Sequence, residues 1–105
     1  MQYYVLRTAE FNRAFAKLDH TIAMRFTILI EKLAYNPLHI GKPLGYTFFR
    51  ELKVDIYRAY YLVYKDRVVV ALVALSTKKK QPETIARIKS MIPAFKKYID
   101  SITFK

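Results

Sequence analysis

The sequence predicts a single α+β domain: a small, mainly antiparallel sheet packed by an N-terminal helical hairpin and followed by a C-terminal helix. Three observations predict it. Apolar residues have helical spacing before residue 37, three segments between residues 47 and 76 have strand composition, and helical spacing returns after Pro82. The predicted order is therefore βααβββα. With 105 residues, 53% of them hydrophobic, the chain has room for one core, so residues 1–105 form one domain.

The N-terminal part predicts one strand and two helices. Tyr3–Leu6 is aromatic and aliphatic and fits a short first strand. Thr8 can cap a first helix, whose buried face is Phe11, Ala14, Phe15 and Leu18. A second helix begins near Thr21 and ends at Asn36-Pro37, because a residue before proline avoids the α region. Its predicted apolar stripe is Ile22, Phe26, Leu29 and Leu33.

The central part predicts a loop followed by an antiparallel meander. Pro37–Gly45 is expected to be a loop because glycine and proline interrupt it. The strand candidates are about Thr47–Lys53, Ile56–Tyr64 and Arg67–Ser76, with turns at Val54-Asp55 and Lys65-Asp66. Both alternating sets of residues in the last strand are apolar, which predicts that both of its faces are covered.

The C-terminal part predicts an amphipathic helix. Apolar residues recur there at alternating spacings of three and four, at Ile85, Ile88, Ile92, Phe95, Ile99 and Ile102. Pro93 interrupts this pattern and lacks the N–H of an intrahelical hydrogen bond. We therefore expect either a kink at Pro93 or two helices.

The charge of the chain points to an anionic partner. Nineteen Lys and Arg residues against eight Asp and Glu residues give a formal charge of +11 and a pI near 10.0. Such a field attracts RNA, DNA, an anionic membrane surface or an acidic protein. Composition alone leaves these four open.

Compartment and membrane signals point to a soluble cytoplasmic protein. Cysteine is absent, so disulfides and thiolate metal sites are excluded and a reducing cytosol is expected. The longest apolar run, Val68–Thr77, is roughly half of the about 20 residues that span a bilayer. The N-terminus has charged residues within an amphipathic pattern, so no signal peptide is expected.

Several classes of catalytic site are not supported by the residues present. His20 and His39 fall in predicted loops far apart in sequence, so neither a metal site nor a histidine triad is expected. A glycine-rich phosphate loop is missing, which argues against nucleotide hydrolysis and dinucleotide cofactors. Glu51 and Asp55 lie among cations and are expected to form salt bridges rather than an acid pair. The sequence thus predicts no metal and no small-molecule cofactor.

A cationic and aromatic strand is the remaining candidate for chemistry. Strand geometry puts Arg58 on the same face as Tyr60 and Tyr64. A guanidinium can bind a phosphate through two hydrogen bonds, and tyrosine rings can stack on unpaired bases. The alternative is that Arg58 pairs across strands with Glu51 or Asp55. Both interpretations remain open on the pattern alone.

Three consecutive lysines follow the last predicted strand. Lys78–Lys80 immediately precede the helix that begins near Pro82, where cations oppose the helix dipole. The same position suits the binding of an anion at exposed backbone N–H groups. The alternatives are therefore a phosphate site and a solvated charge run.

The ordered set of these segments resembles the RelE/ParE toxin superfamily, and within it the RelE and HigB-like branch. The matching segments, which together extend over nearly the whole chain, are Asn36-Pro37, Lys42-Pro43-Leu44, Arg50-Glu51-Leu52-Lys53, Tyr57-Arg58-Ala59-Tyr60-Tyr61, the valine-rich strand and Lys78-Lys79-Lys80-Gln81-Pro82. The resemblance implies a RelE-like fold. It also implies the toxin of a type II toxin–antitoxin pair: a ribosome-dependent mRNA endoribonuclease, or mRNA interferase, that inhibits translation.

The resemblance further implies partners and site residues. The partners would be the ribosome, mRNA and an acidic antitoxin encoded nearby. In such cleavage the 2′-hydroxyl attacks the adjacent phosphate, so a base, stabilising cations and a proton donor are required. The resemblance implies Arg58 and Lys78 as catalytic residues, and Lys53 or Arg50 as a further charge for RNA binding. Glu51 is added as a catalytic candidate because its carboxylate can accept a proton. The strand face and the lysine run add Tyr60, Lys79 and Lys80 as candidates for RNA binding.

Two positions depart from the family pattern and keep other functions open. Alignment on Leu52 places Glu51 where RelE toxins carry a lysine base, and it places Thr84 where some members carry a tyrosine. The ParE branch shares the fold but acts on DNA gyrase without this nuclease set. The alternatives are therefore a ParE-like, gyrase-directed toxin and a basic module that binds RNA without cutting it.

Overall fold

The computed structural model describes residues 2–102. Its elements, in chain order, are β1 Tyr4–Arg7, α1 Ala9–Phe15, α2 His20–Leu33, β2 Lys42–Tyr46, β3 Phe49–Val54, β4 Tyr57–Tyr64, β5 Val69–Thr77, a 3₁₀ turn Lys78–Lys80 and α3 Gln81–Ser101. The α+β class, the helical hairpin and the C-terminal helix are confirmed. Ile102 is the last described residue of the predicted apolar repeat, and it follows the end of α3.

The five strands form one mixed sheet in the order β1-β5-β4-β3-β2. β1 pairs with β5 in parallel, and the other neighbours are antiparallel. β4 is the middle strand, and β5 lies between it and β1. β5 is apolar on both sides because helices cover both faces of the sheet, as its sequence predicted.

The structure has one strand that the sequence did not predict. Lys42–Tyr46 pairs with β3 at the edge of the sheet, inside the segment expected to be a loop. Pro43 and Gly45 gave that segment its loop character. An edge strand tolerates proline, because the side without a neighbour needs no N–H donor, and the pairing here is irregular between Pro43 and Tyr46.

Local signals account for the helical hairpin. Thr8 caps α1 by accepting a hydrogen bond from the Phe11 N–H at 3.1 Å, as predicted. Asp19 caps α2 in the same way through the Thr21 N–H. The buried residues of α2 are Ile22, Phe26, Ile30 and Leu33. Ile30 therefore takes the fully buried position that the sequence assigned to Leu29.

The helices divide the sheet into two differently covered faces. On the hairpin face, α1 and α2 pack on Leu52, Val54, Ala59, Tyr61, Val63, Val70 and Leu72. On the α3 face, Ile88 and Ile99 of α3 pack on Phe49, Tyr60, Leu62, Tyr64, Val69, Ala71 and Val73. α3 continues through Pro93 as one helix, so the division into two helices is not observed.

A β-bulge in β5 changes which residues reach the α3 face. Tyr60 pairs with Ala74 and Tyr61 with Leu72, so Val73 is the additional residue. Strict alternation from Val70 and Leu72 would place residue 76 on the hairpin face. After the bulge, Ser76 pairs with Arg58 and shares the α3 face with it. Within residues 2–102, no helix combines the length and the apolar character needed to cross a membrane.

Candidate nucleic-acid interface

The α3 face has a polar end that the apolar part of α3 does not cover. Cross-strand pairing places Glu51 opposite Tyr60, and places Lys53 and Ser76 on either side of Arg58. Directly opposed residues project from the same face of a sheet. We call these five residues the polar end of the sheet. The strand register therefore gathers two of the predicted catalytic residues and two of the predicted RNA-binding residues.

Arg58 is fixed in place but keeps part of its guanidinium group free. It is 5% exposed, and its Nη1 donates hydrogen bonds to the carbonyl oxygens of Asp55 at 3.0 Å and Tyr57 at 3.1 Å. Its Nη2 donates no hydrogen bond to any residue in the range 2–102. A guanidinium that is anchored on one side and unbonded on the other can bind an anion without first becoming ordered.

Glu51 lies beside Arg58 without closing onto it. Its Oε2 is 4.0 Å from the Arg58 Nε, and its Oε1 accepts a hydrogen bond from the Gln81 Nε2. The cross-strand pairing of Arg58 with Glu51 that the sequence left open is therefore present, but the separation is longer than in a hydrogen-bonded salt bridge. The carboxylate is 5% exposed and is held between α3 and β4.

Tyr60 is internal to this site. Its ring is fully buried and packs on Phe49 at 6.5 Å between centroids, so it presents no exposed face to a base. Its hydroxyl lies 2.8 Å from the Ser76 Oγ. Burial raises the pKa of the Tyr60 hydroxyl, and the hydrogen bond with Ser76 only partly offsets this. Tyr60 is therefore protonated at neutral pH and cannot act as a base there.

Several exposed lysines lie on or follow the strands that form the polar end. Lys53 is exposed beside Arg58, and Lys42 of the unpredicted strand β2 is exposed and pairs with Glu51. Lys78–Lys80 form a 3₁₀ turn between β5 and α3, with all three residues exposed. Among the described residues, none of these lysines forms an ion pair, so their charges face solvent.

Arg50, another predicted RNA-binding residue, lies on the opposite face. It is 7% exposed, and three of its nitrogens donate to backbone carbonyls, at 3.1 Å each, of Ile40, Gly41 and Thr47. These carbonyls belong to the segment between α2 and β3. Arg50 thus fastens that segment to the sheet.

The remaining candidates do not form a second site. Residues 2–102 contain no group of three His, Cys, Asp or Glu side chains that could hold a metal ion. Thr84, at the position where some RelE toxins carry a tyrosine, is buried, and its hydroxyl donates to the Lys80 carbonyl at 2.9 Å. This hydroxyl is therefore engaged within α3 rather than directed toward Arg58.

Three residues of the site were missed in the sequence. Lys42 was assigned to a loop, Ser76 reaches the face only because of the bulge, and Gln81, which precedes the predicted helix start near Pro82, was given no role. No local signal indicates the contact of Gln81 with Glu51, because the two residues are 30 positions apart.

Solved structures of RelE toxins share this fold. A mutant of the Escherichia coli toxin RelE in the free state matches with a TM-score of 0.73 at 18% identity, over 88% of this chain and 100% of that chain. RelBE2, a toxin–antitoxin complex from Mycobacterium tuberculosis, matches at 0.64 and 22%, over 73% and 99%. The archaeal RelE–RelB complex from Pyrococcus horikoshii matches at 0.61 and 21%, over 73% and 96%.

The sequence comparisons give no such match. Neither the protein-family models nor the curated protein sequences match this chain significantly. The likeness therefore rests on three-dimensional structure. The chain has the fold of the RelE toxins, and its resemblance to the RelE/ParE toxin superfamily is confirmed at the level of the fold.

Proposed function

We propose that this protein is the toxin of a type II toxin–antitoxin pair and acts as a ribosome-dependent mRNA endoribonuclease in the cytoplasm. The observation that carries the proposal is the arrangement at Arg58: a buried, anchored guanidinium whose Nη2 donates to no residue in the range 2–102, with exposed Lys53 paired beside it. A sheet of this kind suits the backbone of a single RNA strand. The RelE fold supports the same proposal.

The proposed chemistry uses the groups at the polar end. The 2′-hydroxyl attacks the adjacent phosphorus and gives up its proton to the Glu51 carboxylate. Arg58 binds the non-bridging oxygens, whose negative charge grows in the transition state. The P–O5′ bond then breaks, and the ammonium group of Lys78 supplies the proton to the leaving oxygen. The products are a 2′,3′-cyclic phosphate and a free 5′-hydroxyl.

The other residues have supporting roles in this proposal. Lys53, Lys79 and Lys80 attract and hold the phosphate backbone, and Lys42 joins them from β2. Tyr60 fixes the floor of the site rather than stacking on a base, because its ring is buried. Arg50 fixes the segment between α2 and β3, as described above, and has no direct role toward RNA.

The proposed partner is an acidic antitoxin protein. The chain carries a formal charge of +11, which a partner of opposite charge would offset. Two of the structurally similar proteins described above are complexes of RelE with RelB. A small acidic protein encoded next to this one is therefore expected, and its coexpression should relieve any toxicity.

The test is controlled expression followed by mapping of mRNA 5′ ends by primer extension. Wild type should arrest growth and create new 5′ ends within translated messages. Arg58→Ala should abolish them. Arg25→Ala removes the same charge from an exposed position of α2 and should retain them. Growth arrest with intact messages would contradict the nuclease proposal.

A second candidate is a basic module that binds RNA without cutting it. The observation that favours it is Thr84, whose hydroxyl is buried and bonded within α3, so that no side chain there can serve as the family's tyrosine. This candidate predicts salt-sensitive RNA binding without new 5′ ends and without growth arrest. Growth arrest accompanied by cleaved plasmid DNA would instead indicate a ParE-like action on gyrase.

A further inference from the structure

We propose that Gln81 is a positioning residue that holds Glu51 away from Arg58 and thereby keeps the guanidinium available for phosphate. The inference rests on the proposed phosphate site at Arg58 and concerns a residue to which neither the sequence nor the family resemblance gave a role. It starts from one contact: the Gln81 Nε2 donates to the Glu51 Oε1.

The position of Gln81 is set by the two elements that meet there. β5 ends at Thr77, and the 3₁₀ turn of three lysines carries the chain onto the α3 face. The Lys78 N–H donates to the Ile56 carbonyl at 2.6 Å, which ties this 3₁₀ turn to the residue just before β4. Gln81 then begins α3, and its side chain extends to β3. The start of the helix is thus attached to the sheet at Glu51.

Glu51 has few partners, so the contact with Gln81 controls its orientation. Among residues 2–102, Gln81 is the one side chain that donates a hydrogen bond to the Glu51 carboxylate. The nearest cation is Arg58, with its Nε 4.0 Å away from Oε2. A carboxylate that is 5% exposed needs donors, because water reaches it poorly. Without the amide of Gln81, the guanidinium is a charged donor 4.0 Å from this carboxylate.

Loss of the Gln81 amide should therefore bring the Glu51 carboxylate into contact with the Arg58 guanidinium. A short movement of the carboxylate would convert the 4.0 Å separation into a hydrogen-bonded ion pair with Arg58. The guanidinium would then be neutralised by an anion of its own chain. An incoming phosphate would have to displace that carboxylate, so its affinity would fall. In this way the docking of the first residue of α3 controls phosphate binding at Arg58.

The test is a double-mutant cycle on binding, without cleavage. A fluorescent single-stranded RNA with every 2′-oxygen methylated serves as the probe, since it keeps the phosphates but cannot be cut. Gln81→Leu should weaken binding about 10-fold, the equivalent of one lost charge-assisted contact. Glu51→Gln should strengthen it a few-fold, about as much as removal of one competing charge allows. The double variant should bind at least as well as wild type.

Control variants separate charge and folding from positioning. Glu83→Gln makes the same change in net charge at an exposed carboxylate in the first turn of α3, and should leave affinity within about twofold of wild type. Recovery of binding in the double variant also shows that Gln81→Leu has not merely unfolded the protein. A structural role for Gln81 alone would give no such recovery.

Each result decides between the alternatives. Weak binding by Gln81→Leu together with recovery in the Glu51→Gln background supports the inference. Equal losses in both backgrounds, or no loss in either, overturn it while leaving the proposed site at Arg58 intact. Absence of binding by wild type overturns both the inference and the proposed RNA site, and this outcome is recognisable because no variant is involved.

Discussion

Arg50 and Arg58 are similar strand arginines in the sequence, but the structure gives them different hydrogen bonds. Both are buried arginines of adjacent strands, exposed by 7% and 5%. Arg50 points to the hairpin face, and three of its nitrogens donate to backbone carbonyls of one segment. Arg58 points to the α3 face, uses Nη1 alone for carbonyls and faces a carboxylate. The two arginines therefore differ not in burial or charge but in whether guanidinium nitrogens remain without a hydrogen bond to the described residues. This difference makes Arg58 the candidate for phosphate binding.

The largest expected effect concerns the stability that Arg50 provides. Arg50→Ala removes three hydrogen bonds that the buried guanidinium donates to the carbonyls of Ile40, Gly41 and Thr47. We expect it to lower the free energy of unfolding by about 3 kcal/mol, since each lost hydrogen bond contributes about 1 kcal/mol. Urea unfolding of the purified protein measures it. A loss below about 1 kcal/mol would contradict the structural role assigned to Arg50.

The next effect concerns binding at Arg58. Arg58→Ala should weaken the affinity for 2′-O-methylated single-stranded RNA by about 10–100-fold, the range expected for one charge-assisted contact. Its stability should also fall, by about 1–2 kcal/mol for the two lost hydrogen bonds to carbonyls and further because buried Glu51 loses its nearest cation. Fluorescence anisotropy and urea unfolding give the two values. Arg25→Ala, measured alongside, should change neither appreciably.

The sequence predicted which face of the sheet Arg58 lies on, but not which residues lie directly beside it. A turn at Val54-Asp55, as the sequence suggested, would pair Glu51 directly with Arg58. The observed turn lies one residue later, so Val54 pairs with Tyr57 and Glu51 stands diagonal to Arg58. Side-chain alternation is unchanged by this difference, which is why the face was predictable. The 4.0 Å separation between Glu51 and Arg58 depends on the strand register, so it was not predictable.

The fold was more predictable than the site for a similar reason. Spacing and the cap at Thr8 are local, and they located α1 and α2, although α1 ends at Phe15 and does not reach Leu18 of its predicted buried face. β2 was missed because an edge strand can contain the same glycine and proline that mark a loop. The contact of Gln81 with Glu51 depends on where α3 meets the sheet, which no local pattern encodes.

Two tyrosines of β4 also differ in hydrogen bonding, with a smaller expected effect on stability. The Tyr61 hydroxyl, on the hairpin face, donates to the Pro37 carbonyl at 2.8 Å, whereas the Tyr64 hydroxyl, on the α3 face, is buried without a partner among residues 2–102. Tyr61→Phe should destabilise the protein by about 1 kcal/mol, and Tyr64→Phe should stabilise it by about 1 kcal/mol. Thermal unfolding of the two variants distinguishes them, and equal signs would be the contrary result.

The same tyrosines predict how stability depends on alkaline pH. Burial raises the pKa of both Tyr61 and Tyr64 from 10.0 to about 12. The unfolded chain therefore loses these protons first, so their contribution is complete below pH 10.0 and is lost as the pH rises through about 12. Tyr64→Phe should flatten this decline in urea titrations between those values. An unchanged slope would show that Tyr64 ionises normally.

The smallest effect is expected for Arg87, which is exposed and forms an ion pair. Arg87 of α3 forms two hydrogen bonds with Glu10 of α1, at 3.0 and 2.6 Å, and its side chain is 46% exposed. Arg87→Ala should cost less than about 1 kcal/mol, and less still in high salt, because water screens such a pair. A double-mutant cycle with Glu10→Gln measures the coupling. A value near that of Arg50 would contradict the ranking of the three arginines.

The most direct measurement of the central claim follows the arginine Nε–H signals by ¹⁵N NMR during titration with 2′-O-methylated single-stranded RNA. Variants at the two positions assign the signals. If Arg58 binds phosphate and Arg50 serves the fold, the Arg58 signal should shift with the affinity of the RNA, and the Arg50 signal should stay in place. A shift at Arg50, or a stationary Arg58 signal in a protein that binds the RNA, would contradict the account.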